Sequence, residues 1–204
     1  MPTYIPRMQR EKQCGFTLYE VLITLLVIGV VLALGLPNLS DFTRNSRVTG
    51  TANDLHGSIL LGRSEAARSK ENITICASDD PMGAAACDGA SFEDGWILFV
   101  DLDGDIVRDG GADENVLKAF PPVDDTIDII TDNGATYFSF APTGFGRGDV
   151  AGPSLRTAMI CDERGNIVAA GGSSAARRIV ITPIGRSIVI RDKALIDASG
   201  DDCA

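Results

Sequence analysis

Between Gly15 and Leu36 the chain reads GFTLYEVLITLLVIGVVLALGL, an apolar run interrupted by one charge, Glu20. A helix over residues 16–36 would be about 31 Å long, enough for one bilayer crossing. A helical period continues beyond Pro37. Leu39, Phe42, Ser46, Thr49, Ala52, Leu55, Ile59, Gly62 and Ala66 recur every three or four positions, and Asp41, Arg44, Arg47, Asn53, Arg63, Glu65 and Arg68 fall on the other faces. The pattern predicts one long helix from Phe16 to about Ser69, kinked at Pro37, where a backbone hydrogen bond is lost. Its stripe is small and only weakly apolar, which suits packing on a sheet better than a coiled-coil seam.

From Ile73 the period becomes two. Strands are predicted at 73–77, 96–100, 116–120, 127–131, 136–140, 156–161, 178–182 and 187–191, separated by clusters of Gly, Pro, Asp and Asn. With no helical period between them, they imply an antiparallel sheet or sandwich. The fold class is therefore α+β, a lollipop with a helical stem and a β head. Trp96, the sole tryptophan, lies in the apolar run 96–100 and is expected in the core.

Charge sets the topology. The first 15 residues carry Arg7, Arg10 and Lys12 against Glu11 with no apolar run before Gly15, unlike a secretory signal, whose apolar segment precedes its cleavage site. Basic residues keep that leader in the cytoplasm and send the body across the membrane. The segments are then 1–15, a leader; 16–36, a membrane span; 37–70, the continuing helix; and 71–204, the head. The whole chain carries −10, and the leader holds +2 of the balance, so the body is more acidic still. An acidic body disfavours nonspecific binding to nucleic acid.

Cys14 belongs to the leader, which leaves Cys76, Cys87, Cys161 and Cys203 as an even set facing an oxidising space. Four cysteines allow three pairings. The favoured one joins Cys76 to Cys87 across a loop of turn residues, and Cys161 to Cys203 near the C-terminus. Zinc is the competing use, disfavoured by the lack of a C-x-x-C pair and the presence of only one histidine.

A carboxylate within a membrane span costs about 2.5–3.5 kcal/mol at the centre and less near a helix end, so Glu20 needs a partner. Cleavage after Gly15 would create one, because the new amine of Phe16 on one copy can neutralise Glu20 of another. The stretch G-F-T-L-Y-E resembles the processing site of type IV prepilins and pseudopilins. That resemblance implies a prepilin peptidase that cuts after Gly15 and methylates Phe16, with Glu20 serving assembly.

The head narrows the resemblance. ICASDD, WILFVD, YFSFAPTGFGRG, LRTAMICDERG and RRIVITPIGRSIVIRD are similar in order and spacing to the GspH/FimT family of minor pseudopilins and minor pilins. This implies a non-enzymatic subunit at the tip of a type II secretion pseudopilus, helping to initiate assembly. Its partners would be sibling pseudopilins, the prepilin peptidase and lipid of the bacterial inner membrane, with the head periplasmic. The alternative is a type IV pilus minor pilin. One branch of the family is thought to take up DNA through a G-R-x-R motif, but here the stretch is Gly185-Arg186-Ser187-Ile188, without the second arginine. Arg177, Arg178, Arg186, Arg191 and Lys193 oppose only Asp192 and offer a basic patch, with Arg178, Arg186 and Arg191 as the candidate phosphate contacts. A solvated strand face is the favoured reading.

Other chemistry finds little support. Asp101, Asp103, Asp105, Asp109 and Asp113 suggest a calcium loop, yet counting from Asp101 puts Gly104 fourth and Ala112 twelfth, where the usual loop wants Gly sixth and Glu twelfth. A solvated turn is expected, with no metal. His56 alone cannot build a catalytic triad or a histidine metal site. Gly144, Gly146 and Gly148 form a glycine-rich run without the Lys-Ser/Thr of a phosphate loop, and a flexible loop is expected. No cofactor and no catalytic residue are implied.

The cleavage reading makes a direct prediction. Gly15→Ala should accumulate as the uncleaved precursor, measured by intact mass; an unchanged yield of the shortened, methylated chain would refute it.

Overall fold

The computed structural model describes residues 15–109, 113–169, 172–200 and 203, with the side chains of residues 34–38 outside that description. The leader before Gly15, and the side chain of Pro37 on which the expected kink rests, lie outside the described residues. The elements in order are helix α1 (Leu18–Ser69), strands β1 (Ile73–Ala77), β2 (Trp96–Val100), β3 (Val116–Phe120), β4 (Ile127–Thr131), β5 (Tyr137–Phe140), β6 (Thr157–Asp162), β7 (Arg177–Ile181) and β8 (Ser187–Ile190), and helix α2 (Lys193–Asp197). A 3-10 turn at Asp132–Gly134 links β4 to β5. All the predicted strands are present, with ends shifted by no more than a residue.

The chain divides into two units, Met1–Phe42 and Thr43–Ala204. In the first, the described part of α1 presents its apolar side chains outward: Leu18, Leu26 and Val31 are all more than half exposed. The second contains the remainder of α1 and both sheets. Their orders are β3-β2-β1-β5 and β4-β6-β7-β8, antiparallel throughout.

One core joins the helix to both sheets. Val48, Ala52, Leu55, Ile59 and Ala66 of α1 cluster with Ile73, Ile75, Leu98 and Phe140 of one sheet and Ile129, Ile160 and Ile179 of the other. The stripe anticipated from the sequence is buried from Ala52 onward. Ahead of that, Leu39 and Phe42 of the first unit are exposed, at 60 % and 69 %, and within the second unit Val48 rather than Ser46 supplies the buried contact. Gly62 is required by packing: a Cβ there would stand 3.1 Å from Phe140 Cε2 and 3.2 Å from Leu98 Cδ1.

The period of two is readable in β2. Trp96, Leu98 and Val100 enter the helix-side core, while Ile97 and Phe99 join Cys76, Ile106 and Tyr137 in a second cluster on the opposite face. Trp96 is buried and stacks on Phe120 at 4.8 Å, and its indole N–H donates to Ser58 Oγ at 2.9 Å. Ser58 in turn donates to the Asp54 carbonyl at 2.8 Å, so a polar pair inside the core is fully used.

Polar ties fasten the helix to the second sheet. Arg164 donates to Asn45 Oδ1 at 2.9 Å and grips Asp162 Oδ2 at 2.6 Å, while Arg44 pairs with Glu163 at 2.8 Å. Burial pushes the Asp162 carboxyl up, but its bonds from Arg164 outweigh that and hold it below its ordinary value. The disulfides are Cys76–Cys87 and Cys161–Cys203, with Cα separations of 5.6 and 6.2 Å. Closing loops of this order stabilises by about 3–4 kcal/mol on the chain-entropy model. Helix α2 was not anticipated from the sequence. Asp192 caps it by accepting from the amides of Ala194 and Leu195, and Ile196 packs with Met159, Cys161 and Ala176 on the outer face of the second sheet.

Because Leu55 is fully buried where helix and sheets converge, Leu55→Ala should cost about 2–5 kcal/mol. The check is the urea midpoint followed by the fluorescence of Trp96; an unshifted midpoint would refute the packing.

Candidate assembly motif and head surface

The motif at the start of α1 is a self-contained local structure. Glu20 Oε2 accepts from the backbone N–H of Thr17 and from its hydroxyl, both at 2.8 Å, and the Glu20 N–H points back at Thr17 Oγ1 at 3.3 Å. This is a capping box, T-x-x-E, in which a residue at the helix start and the acid three positions on satisfy each other's exposed donors. It sets the start of α1 at Leu18, two residues after Phe16. The arrangement was legible in Thr17-x-x-Glu20 but was read only for its charge. Thr17 is thus the local partner of Glu20.

Around it the surface is open. Phe16 is 89 % exposed, and a Cβ added at Gly15 would meet nothing within 4 Å. Among the described residues no helix is long and apolar enough to cross a membrane. The span expected over 16–36 includes side chains, from residue 34 onward, that lie outside the description.

On the head, the basic patch is smaller than its sequence implied. Arg177 is buried and gives its guanidinium to the carbonyls of Ser174, Ala175 and Ala176 and to Thr49 Oγ1 of α1. Burial, followed by the nearby charges of Arg191 and Arg164, lowers its pKa from the ordinary guanidinium value. Lys193 is held by Asp197 at 2.7 Å. Arg178 is half-buried on β7, which leaves Arg186 and Arg191 as the exposed cations. Gly185 has a structural duty of its own: its φ is +73°, and a Cβ would stand 2.6 Å from Phe140 Cε1.

The glycine-rich run is not the loose loop expected. Gly146 N–H donates to the Pro183 carbonyl at 3.1 Å, Arg147 N–H to Ser139 at 2.9 Å, and the Arg147 side chain turns inward to Asp101, Ser139 and Gly104. That inward arginine was not singled out from the sequence, and a Gly-Arg-Gly run gives no sign of where its side chain goes. His56 is half-buried, its Nε2 lying 3.4 Å from the Ser187 carbonyl, in a helix–sheet packing role.

A long helix that opens on a capping box and, from Val48 to Ala66, packs on two antiparallel sheets has the architecture of a pilin-like protein. Residues 10–36 match the family described as Prokaryotic N-terminal methylation motif. Residues 51–185, more than half the chain, match Type II transport protein GspH, and the chain belongs to that family. Among curated proteins no relative matches. Two solved structures of the type IV minor pilin FimU from Pseudomonas aeruginosa strain PAO1, in space groups P21 and P65, share 18 % identity with this chain. They cover 79 % and 76 % of it and 96 % of their own lengths, with TM-scores of 0.48 and 0.45.

With Arg177 buried and Lys193 paired, the head should not hold DNA. A gel shift of the detergent-solubilised full chain with duplex DNA is expected to show no complex at moderate salt; a micromolar complex weakened by Arg186→Ala would reverse that.

Proposed function

We propose that this chain is a minor pseudopilin, a non-enzymatic subunit of the type II secretion pseudopilus that sits at the filament tip and helps initiate assembly. The peptidase cuts after Gly15 and methylates Phe16; the segment 16–36 anchors the subunit in the inner membrane; and the head stands in the periplasm among sibling pseudopilins. The observation that carries this reading is Glu20, a single carboxylate in the first turn of a helix whose large apolar side chains over residues 18–32 are exposed, on a chain of the GspH family.

The geometry suggests how the charge is handled. Before assembly the carboxylate is held by the Thr17 amide and hydroxyl, which lowers the cost of keeping it in an apolar environment. Cleavage turns the Phe16 amide into an amine, and an amine is a charge-assisted donor stronger than a neutral one. A neighbouring subunit's amine can therefore replace or supplement Thr17 as the partner of Glu20. Assembly then satisfies a charge that the isolated subunit holds only by neutral hydrogen bonds.

Glu20→Ala is expected to remain in the membrane, since the segment becomes more apolar, while failing to co-purify with the filament and abolishing secretion. Incorporation at the normal level would refute the role given to Glu20. Intact secretion with lost pili in a deletion strain would move the subunit to a type IV pilus.

A further inference from the structure

The acidic connection between β2 and β3 was expected to be a solvated turn, but it is partly buried. Asp101, directly after β2, is 0 % exposed, and Glu114, just before β3, is 6 % exposed; Asp103 lies at the surface. One carboxylate oxygen from each of the three lies within 4.8 Å of the others. Carboxylates this close repel one another unless a cation stands between them.

Asp101 is held rigidly with one oxygen left over. Its Oδ2 accepts from Thr74 Oγ1 at 2.7 Å and from Arg147 Nη1 at 3.2 Å, while its Oδ1, fully buried, has no hydrogen-bond partner. A buried anionic oxygen without a partner is costly, and it signals a ligand the protein atoms do not supply. Glu114 Oε2 accepts from the Asp109 amide at 2.8 Å, and Asp103 Oδ1 from the Asp105 amide at 3.3 Å, so both retain oxygen lone pairs.

We propose that Asp101, Asp103 and Glu114 bind a hard divalent cation, with calcium preferred. The spacing fits: oxygens bound at about 2.4 Å to one ion lie at most about 4.8 Å apart. The charge fits as well. Arg147 neutralises part of Asp101, while the hydrogen bonds of Arg108 all go to carbonyls, those of Glu114, Ala84 and Ala85. Three carboxylates against the guanidiniums of Arg147 and Arg108 leave one negative charge. The set is all oxygen, which favours calcium or magnesium over zinc, and a half-open site completed by water suits the larger, more permissive ion.

The site does not follow the usual loop pattern. Counted from Asp103 rather than Asp101, Glu114 falls twelfth, but Arg108 occupies the sixth position in place of glycine. Asp101 lies ahead of that frame and is brought in by the end of β2. An ion here cross-links the end of β2 to the start of β3. Through Arg108 it also fastens the Cys76–Cys87 loop, whose Ala84 and Ala85 carbonyls that arginine holds.

The test uses the full chain in detergent, stripped with EDTA, and reads calorimetric heat and melting temperature against added CaCl2, with MgCl2 and ionic-strength-matched NaCl as controls. Calcium at ~10 mM should raise the melting temperature by about 3–10 °C, saturably, as a site of ~0.1–1 mM affinity would. Magnesium should give a smaller rise. Asp103→Asn, at an exposed position, and Glu114→Gln should keep the native circular dichroism and weaken the calcium response at least tenfold. A flat titration to ~10 mM, an equal response to magnesium or NaCl, or a full calcium response in Asp103→Asn would each overturn the proposal.

Discussion

The burial of one weakly apolar helix stripe at the meeting of two sheets is the contact on which the head depends. Neither four-stranded sheet closes on itself, and each leaves edge strands. Residues from Val48 to Ala66 supply the shared core that holds them in one body. The stripe uses small residues where the sheet comes closest, and Gly62 is the extreme case, lying against Phe140 and Leu98. Larger apolar side chains would hold the helix farther off and open the core, since interiors tolerate little change in volume. The same helix continues toward the N-terminus with its apolar side chains outward, so one element serves as core in one part and as an uncovered apolar surface in another.

That division explains why the helix reads as it does. Over the compact unit its polar positions reach across to named partners: Arg44 to Glu163, Arg47 to Asp124, Asn45 to Arg164 and Thr49 to Arg177. Several are too exposed to add much stability singly. Their effect is to fix the rotation of the helix about its axis, so that Ala52, Leu55 and Ile59 face the sheets. Over the first two turns, among the described residues, the side-chain polar contacts are those of the capping box and of Thr24 with the Val21 carbonyl, all local. A segment whose polar groups are satisfied within its own turn is free to face an apolar medium or another helix.

Most of the architecture was legible because the periodicities are clean. The change from a period of three or four to a period of two at Ile73 marks the junction of helix and sheet, and β2 alternates between two clusters as its spacing implies. What escaped was of another kind. Arg177 sits next to Arg178 in a run that reads as a surface patch, and only the approach of α1 and the 174–176 backbone makes it a buried ligand of carbonyls. Arg147 and Glu114 depend on contacts across 46 and 13 positions with Asp101, which no local pattern encodes. Helix α2 is short enough that its capping aspartate, Asp192, was its main signal, and that residue was counted as a charge instead.

The glycines separate what the fold demands from what it leaves free. Gly185 is fixed by its own backbone, at φ +73° with Phe140 closing over the place of a side chain. Its presence before Arg186 therefore has a structural explanation in the turn between β7 and β8. Gly15 is the opposite case. Among the described residues nothing lies within 4 Å of where its side chain would stand, so packing gives no reason for a glycine. A requirement for glycine there has to come from outside the folded chain, and the active site of a processing enzyme, which must bring the scissile bond close, is the kind of surface that imposes it.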